Sequence, residues 1–452
     1  MPLRDTAPKL SPEQYEKNFA ELAPAMTPRQ AAIEAARCLY CFDAPCTIAC
    51  PTHIDVPAFI KKISTGNLRG SAREILSANI LGHSCGRVCP TEALCEGACV
   101  MHEKGEQAIE IGRLQRYAVD YVLGNKVELF QAGAPNGKRV ACVGSGPASL
   151  ACAAELAKWG YDVTIFDRNE MPGGLNTYGI AAYKSRSADA LREVELIKQL
   201  GVKFRQKTEV GRDIPFRDLE REFDAIFLGV GLGDTWELKL PGEDLQGVYG
   251  ALEFIQRTKT QPFRDVEVGR RVACIGAGNT AIDVVTAARR LGAEIVYLVY
   301  RRGEPEMPAF AYEYQLAKQD AVSFLWQTQP VRVLGREGHV CGLECVRTEL
   351  GAPDARGRRN PIPVRGTEFT IDVDMVVRAV GQKPTTDFLK VLPGIEIDKA
   401  GTVKVNEFHQ TGNPKYFAGG DCTNGGKEVV DAVAEGMAAA RGLDKFFGAP
   451  RA

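Results

Sequence analysis

The stretch RVACVGSGPASLACAAELAKWGYDVTIFDR, from Arg139 to Arg168, restricts the fold more than any other part of the chain. An apolar run ends in a glycine turn, a helix of small residues follows, and a second apolar run closes at an acid. That order predicts a βαβ unit, because only a crossover can return a chain to a parallel neighbour. Gly144 and Gly146 stand where a side chain would block a tight turn and close backbone approach. The same plan returns at RRVACIGAGNTAIDVVTAARRLGAEIVYLVYRR, from Arg270 to Arg302. Two copies of one unit, with strands and helices alternating between them, predict an α/β chain with two doubly wound, Rossmann-like domains.

The two turns differ in a way that separates their ligands. The first reads Gly144-Ser145-Gly146-Pro147-Ala148-Ser149, with Ser in the third glycine position, and its second strand ends at Asp167. A carboxylate there accepts hydrogen bonds from a ribose. The second reads Gly276-Ala277-Gly278-Asn279-Thr280-Ala281, and its second strand ends at Tyr300-Arg301-Arg302 with no acid. A guanidinium pair suits a 2′-phosphate, which favours NADPH over NADH; the plain alternative is a solvated strand end. The first fold resumes near the C-terminus at GGDC, around Gly420 and Asp421. This is the plan of a disulfide-reductase-like flavoprotein, one site for FAD and one for a nicotinamide, with the NAD(P) domain inserted in the FAD domain. Neither nucleotide domain contains CxxC, so electrons leave the flavin by another route.

That route is offered by the cysteines. Of fourteen, eight lie between Cys38 and Cys99, in the runs CLYCFDAPCTIACP and CGRVCPTEALCEGAC. The first has ferredoxin-type spacing, C-x2-C-x4-C-x3-C-P, more than the spacing of structural zinc. The surrounding sequence predicts short helices: Thr27-Pro28 opens one, Asp55 caps VPAFIKKIS, and LRGSAREILSAN follows Gly66. In IEIGRLQRYAVDYVL the residues Ile111, Leu114, Ala118 and Val122 form an apolar stripe, on which Gln115 also falls. A buried glutamine needs partners for its amide. The linker QAGAPNGK then sets the expected division: a helical iron–sulfur domain over 1–135, an FAD domain over 136–245 and 381–452, and an NAD(P)H domain over 246–380.

A net charge of −1 gives no electrostatic reason for nucleic-acid or membrane binding. The N-terminus has no apolar core of a signal peptide, and no run reaches the roughly 18 apolar residues of a membrane span. The expectation is a cytoplasmic protein with reduced thiols. Cys142, Cys152, Cys274, Cys341 and Cys345 read as buried strand and helix residues, with Cys422 beside Asp421 at the flavin turn. No Ser–His–Asp or HExxH arrangement occurs, and none of the five histidines is spaced as a ligand with another.

RCLYCFDAPCTIACPTHIDVPAFI, CGRVCPTEALCEGACV and GRLQRY together resemble the N-terminal NAD(P)H-, FAD- and iron–sulfur-binding part of dihydropyrimidine dehydrogenase and the corresponding separate bacterial subunit. The glutamate synthase small subunit is similar in plan. The resemblance covers nearly the whole chain. It implies two 4Fe–4S clusters with interleaved ligands: Cys38, Cys41, Cys46 and Cys99 for one, and Cys50, Cys89 and Cys95 with Gln115 for the other. Cys85 is then a bystander, although counting thiols makes it the eighth ligand and spacing does not decide. The FAD contacts implied are Gly144, Gly146, Pro147, Ala148, Ser149, Leu150, Asp167, Arg168, Gly173, Gly174, Leu175, Lys184, Val210, Gly420 and Asp421. Asp167 stands where the family more often has Glu. The nicotinamide coenzyme would meet Ala277, Gly278, Asn279, Thr280, Arg301, Arg302, Ala379 and Gly381. A further basic residue of the mammalian pattern is Pro308 here, which leaves NADPH and NADH both open.

The resemblance implies an electron-input subunit. Hydride transfer to a flavin asks for no general acid or base, so no catalytic side chain is named. The family's full-length form continues into an FMN-binding barrel, and the chain stops at Ala452; the expected partner is an FMN-containing catalytic subunit, in a hetero-oligomer that reduces uracil or thymine. The alternatives are the glutamate synthase small subunit, a ferredoxin–NADP transhydrogenase component, and a redox-sensing or scaffold protein outside the enzymes.

Overall fold

A computed structural model describes residue 3 and residues 5–354 and 357–448. The chain divides into two units, one made of Ala23–Thr177, Lys184–Leu232 and Pro384–Ala452, the other of Met1–Leu22, Tyr178–Tyr183 and Gly233–Lys383.

The larger unit opens with short helices, and local chemistry explains their starts. At Pro28–Ala36 the Thr27 hydroxyl accepts from the Gln30 amide at 3.3 Å, and the Thr27 amide donates to the Gln30 side chain at 2.9 Å. This reciprocal cap, with proline in the first turn, pairs donors that a helix end leaves unmatched. Asp55 caps Val56–Ser64 through the Ala58 amide at 3.0 Å, and Asn67 caps Leu68–Ala78 through Gly70. The expected longer helix spans Ile111–Gly124, and Gln115 on its inner face is buried.

The larger unit's sheet is parallel, ordered Tyr416–Ala418, Ala225–Leu228, Arg139–Val143, Asp162–Phe166, Lys203–Arg205. Its central strand is buried on both faces from Val140 to Val143, which is why the sequence there runs apolar without alternation. The closing helix Val429–Phe447 lies against Pro147–Lys158, and a Cβ on Gly436 would come 2.1 Å from the Ala148 carbonyl oxygen. The last stretch of chain therefore completes the first nucleotide fold.

The smaller unit repeats the plan. Its parallel sheet runs Val248–Gly250, Met375–Arg378, Arg271–Ile275, Ile295–Val299, Ser323–Leu325. An antiparallel sheet is added, in which the long strand His339–Pro353 pairs with Thr328–Arg336, Arg359–Pro363 and Phe369–Ile371. Both parallel sheets place the glycine turn after their central strand, and the second fold is inserted in the first. Residues before 23 belong to this unit: Ala7 donates to the Val268 carbonyl at 2.8 Å, and the Phe19 ring stacks on Phe263 at 3.9 Å. Of the cysteines expected inside, Cys142, Cys152, Cys274 and Cys345 are buried, whereas Cys341 is half-buried on the antiparallel sheet. Among the described residues no helix is long and apolar enough to cross a membrane.

Candidate cofactor sites

The first glycine turn shows why its residues are small. Gly144 has φ +90°, and a Cβ there would come 2.5 Å from the Gly229 carbonyl oxygen, so only glycine lets the turn cross the neighbouring strand end. Gly146 then starts Pro147–Lys158, whose first-turn amides, including those of Ala148 and Ser149, have no partner within the helix. The positive end of the helix and these amides suit a pyrophosphate. The side chains of Ser149 and Leu150 are buried in the core, and the Leu150 amide donates to the Gly146 carbonyl at 3.0 Å, so the main-chain donor of this pair is that of Ser149.

Asp167 does more than its position at the strand end suggests. One carboxylate oxygen accepts from the Ser145 amide at 2.7 Å and the Ser145 hydroxyl at 2.6 Å, and the other from the Asn169 amide at 2.7 Å. A carboxylate has about four acceptor positions, so the turn takes three and one, on Oδ1, is left for a ribose hydroxyl. Gly173 donates to the Ser145 carbonyl at 3.1 Å, and a Cβ on Gly174 would come 2.7 Å from the Gly146 Cα. Gly420 reaches the same turn, its hypothetical Cβ 3.0 Å from that of Ala148. Glu435, which the sequence did not single out, holds this C-terminal turn by accepting from the Gly420 amide at 2.7 Å, the Thr423 hydroxyl and the Asn424 amide. Burial raises the Asp421 carboxyl. Val210 is buried in the cluster that includes Phe166, Lys184 and Leu175 are half-buried, and Arg168 is exposed.

At the second turn Gly276 has φ +131°, and a Cβ would come 2.2 Å from the Ala379 carbonyl oxygen. This brings Ala379 against the turn. Gly278 starts Asn279–Arg290, so Asn279 and Thr280 lie in its first turn, and the Asn279 side chain accepts from the Phe310 amide at 3.0 Å. Ala277 is buried, and Gly381 accepts from the Trp236 amide at 3.0 Å. Arg301 is exposed. Arg302 has a buried Nε with no hydrogen-bond partner among the described residues, a donor that an anion would satisfy.

The thiols fall into two groups. Burial raises the Cys38 thiol, and charge on Cys41 and Cys99 raises it further. Burial pushes Cys46 up to about 11, with Cys38 and Cys99 adding to the effect. In the second group a hydrogen bond with Cys85, then burial, then charge on Cys85, Cys95 and Cys50, drive Cys89 well up. Cys95 is raised by burial, then by Glu96 and Cys50. Charges influence one another in this way across a few ångströms. Cys99 thus acts on thiols of the first run and Cys50 on thiols of the second, while Cys46 of the first run also reaches Cys95. Cys85 also lies in the second group, its Sγ 3.2 Å from Asn79 Nδ2. Gln115 is buried beside the same helix and donates Nε2 to the Gly82 carbonyl at 2.7 Å.

Metal charge offsets the repulsion between gathered thiolates, which is one way thiols that oppose each other's ionisation are held ionised together. Among the described residues no three His, Cys, Asp or Glu side chains close on one point as the ligands of a single metal ion do. The donor set, closely gathered soft sulfur, fits iron–sulfur ligation.

A family profile described as pyridine nucleotide-disulphide oxidoreductase matches residues 138–436. Another, described as dihydropyrimidine dehydrogenase domain II, 4Fe-4S cluster, matches residues 15–127. The chain is 37% identical over 459 residues to the glutamate synthase (NADPH) small chain of Escherichia coli (strain K12), covering 98% of this chain and 97% of that one. It is 36% identical over 431 residues to the NADP(+)-dependent formate dehydrogenase subunit beta of Moorella thermoacetica, covering 89% of this chain and 60% of that one. Among solved structures, Mycobacterium tuberculosis FprA in complex with NADPH is similar in fold, with a TM-score of 0.58 and 21% identity over 69% of this chain and 85% of that one.

Proposed function

The chain belongs to the pyridine nucleotide-disulphide oxidoreductase family, and from that premise we propose that it is the electron-input subunit of a larger enzyme. It is an electron-transferring flavin and iron–sulfur oxidoreductase, with a 4Fe–4S domain ahead of an FAD/NADP-binding domain. FAD held at the first turn would supply a hydride acceptor that can also give up single electrons, and 4Fe–4S clusters held by the thiols would supply one-electron transfer. The observation that carries the reading is that thiols from two runs far apart in sequence are gathered closely, Cys99 acting on Cys38 and Cys46, and Cys50 on Cys89 and Cys95, in a chain whose nucleotide folds contain no CxxC.

The residues have separate tasks. Cys38, Cys41, Cys46 and Cys99 would hold one cluster, and Cys50, Cys89 and Cys95 the other, with Gln115 as its fourth ligand. The first turn with Asp167 and Gly420 would hold FAD. Arg302, with its unpartnered Nε, and Arg301 would hold a 2′-phosphate, which makes NADPH the coenzyme. These groups bind and orient, and none of them moves a proton.

An acceptor protein is supported by the loop that carries Cys38, Cys41 and Cys46. It exposes Leu39 at 47%, Phe42 at 100% and Ile48 at 67%, apolar surface that a partner chain would cover. The partner we infer is an FMN-containing subunit that reduces uracil or thymine to the 5,6-dihydropyrimidine, in a cytoplasmic hetero-oligomer. The description of the matching N-terminal family bears on the 4Fe–4S domain of such an enzyme alone. The second reading, a small chain feeding a glutamine-using glutamate synthase partner, is supported by the relative that matches along nearly its whole length. Purification of the tagged chain from its native host decides. An FMN-bearing partner with NADPH-dependent uracil reduction supports the first reading; a glutamine-cleaving partner removes it in favour of the second. Recovery with no redox partner under gentle conditions contradicts both.

A further inference from the structure

One buried carboxylate is not used by the proposed function. Glu193 is 1% exposed and lies on the helix Ser187–Gln199, which joins Asp162–Phe166 to Lys203–Arg205 in the larger unit's parallel sheet. A carboxylate so enclosed persists only when well paired. Its Oε1 accepts from the main-chain amides of His83 at 2.7 Å and Ser84 at 2.9 Å, and its Oε2 accepts from the Ser84 hydroxyl. All three donors sit in the first turn of Gly82–Val88, the helix that carries Cys85 and ends at Cys89.

The other side of this short helix is held by the iron–sulfur domain. Gln115 Nε2 donates to the Gly82 carbonyl at 2.7 Å. The His83 ring lies 2.9 Å from Asp120, which also pairs with Arg87 at 2.9 Å and Arg116 at 3.1 Å. A Cβ on Gly86 would come 3.1 Å from the Arg116 amide nitrogen, so the two helices touch backbone to backbone there. Seven residues form too short a helix to keep its place through its own hydrogen bonds. Its placement comes from these neighbours, and Glu193 supplies hydrogen bonds to it from the nucleotide fold.

We propose that Glu193 is a positioning residue that locks the Cys89-bearing helix to the fold that holds the flavin, so that one buried carboxylate sets the spacing between the flavin and the second thiol group. The proposal rests on the reading that electrons pass from the flavin to these thiols' cluster. Removing the carboxylate leaves two amides and a hydroxyl unpaired in a buried place and frees the helix to shift. Electron transfer weakens steeply with distance, so the shift slows reduction of the cluster and leaves reduction of the flavin alone.

The test uses the holoprotein and the variants Glu193→Ala and Glu193→Gln. Each is mixed rapidly and anaerobically with NADPH, flavin bleaching is followed by absorbance, and freeze-quenched samples are read by EPR for reduced cluster. Iron and flavin content and amide hydrogen exchange at residues 83 and 84 are measured on the same samples. The expected result is unchanged flavin bleaching, with cluster reduction slowed severalfold in the Ala variant. The Gln variant, which keeps one amide acceptor, falls between, and exchange at 83 and 84 quickens in both. Unchanged cluster reduction with quickened exchange overturns the proposal and leaves Glu193 a purely structural residue. If Ala does not fold, Gln alone decides by the same readouts. A wild-type protein whose clusters stay oxidised under NADPH defeats the functional reading itself, whereas normal wild-type reduction matched by both variants defeats only the role of Glu193.

Discussion

Replacing Asp167 by Asn separates its two tasks at the first glycine turn. The wild-type carboxylate accepts from Ser145 twice and from Asn169 once, at 2.6–2.7 Å, and keeps one acceptor position for a ribose hydroxyl. In the variant the amide oxygen can still face Ser145, but the amide nitrogen then faces the Asn169 N–H and the free acceptor position is gone. Hydrogen bonds to an ionised group are worth about 1.5–3 kcal/mol each. The apoprotein should lose about 3 kcal/mol from the missing Asn169 bond and the weakened Ser145 pair. FAD should bind about tenfold to a hundredfold more weakly through the lost ribose bond, at about 1.4 kcal/mol per decade. Quenching of flavin fluorescence on titrating FAD into deflavoprotein gives the second quantity, and urea unfolding of the apoprotein gives the first. An Asn variant that is destabilised yet binds FAD within about twofold of wild type would refute the ribose contact and leave Asp167 as a brace for the turn.

Other consequences are as direct. Cys99→Ala should abolish the same EPR signal as Cys46→Ala, and Cys50→Ala the same signal as Cys95→Ala; signals sorted by sequence run instead would contradict the interleaving. At the second cluster, loss of signal with Cys85→Ala but not with Gln115→Ala would make Cys85 the eighth ligand. Arg302→Ala should weaken NADPH about tenfold or more and leave NADH unchanged, since a charge-assisted bond to a 2′-phosphate is worth at least about 1.5 kcal/mol; equal loss with both coenzymes would place the arginine elsewhere. Burial raises the Asp374 carboxyl to about 6, against the counter-effect of Arg271. Its folded value lies above its unfolded one, so the folded state holds the proton more tightly. Stability from this group is complete at low pH and is lost as pH rises through about 6. Urea midpoints read by Trp236 and Trp326 should therefore fall from pH 5 to pH 7.5, and fall less in Asp374→Asn; equal slopes would contradict this.

What could be read from the sequence was what depends on short spans of chain. Gly144 and Gly276 announced themselves because a positive φ and a neighbouring carbonyl leave room for nothing else. Thr27, Asp55 and Pro28 marked helix starts because capping is chemistry over three or four residues. Gln115 stood out because its polar amide falls on an apolar stripe, and it is buried there. The features that escaped depend on chain segments meeting from afar. Glu435 looks like an ordinary helical acid until the fold brings Gly420 to it, and Glu193 becomes unusual only once His83 and Ser84 turn their amides toward it. The first 22 residues fall within the stretch expected as the helical iron–sulfur domain, yet Phe19 finds its stacking partner in Phe263.

The most direct test of electron input is anaerobic titration of the purified chain with NADPH, following flavin absorbance and low-temperature EPR together. The account predicts that the flavin bleaches and that signals of two distinct reduced 4Fe–4S clusters follow. Flavin that bleaches while clusters reducible by dithionite stay oxidised under NADPH, or flavin that does not bleach at all, would contradict it.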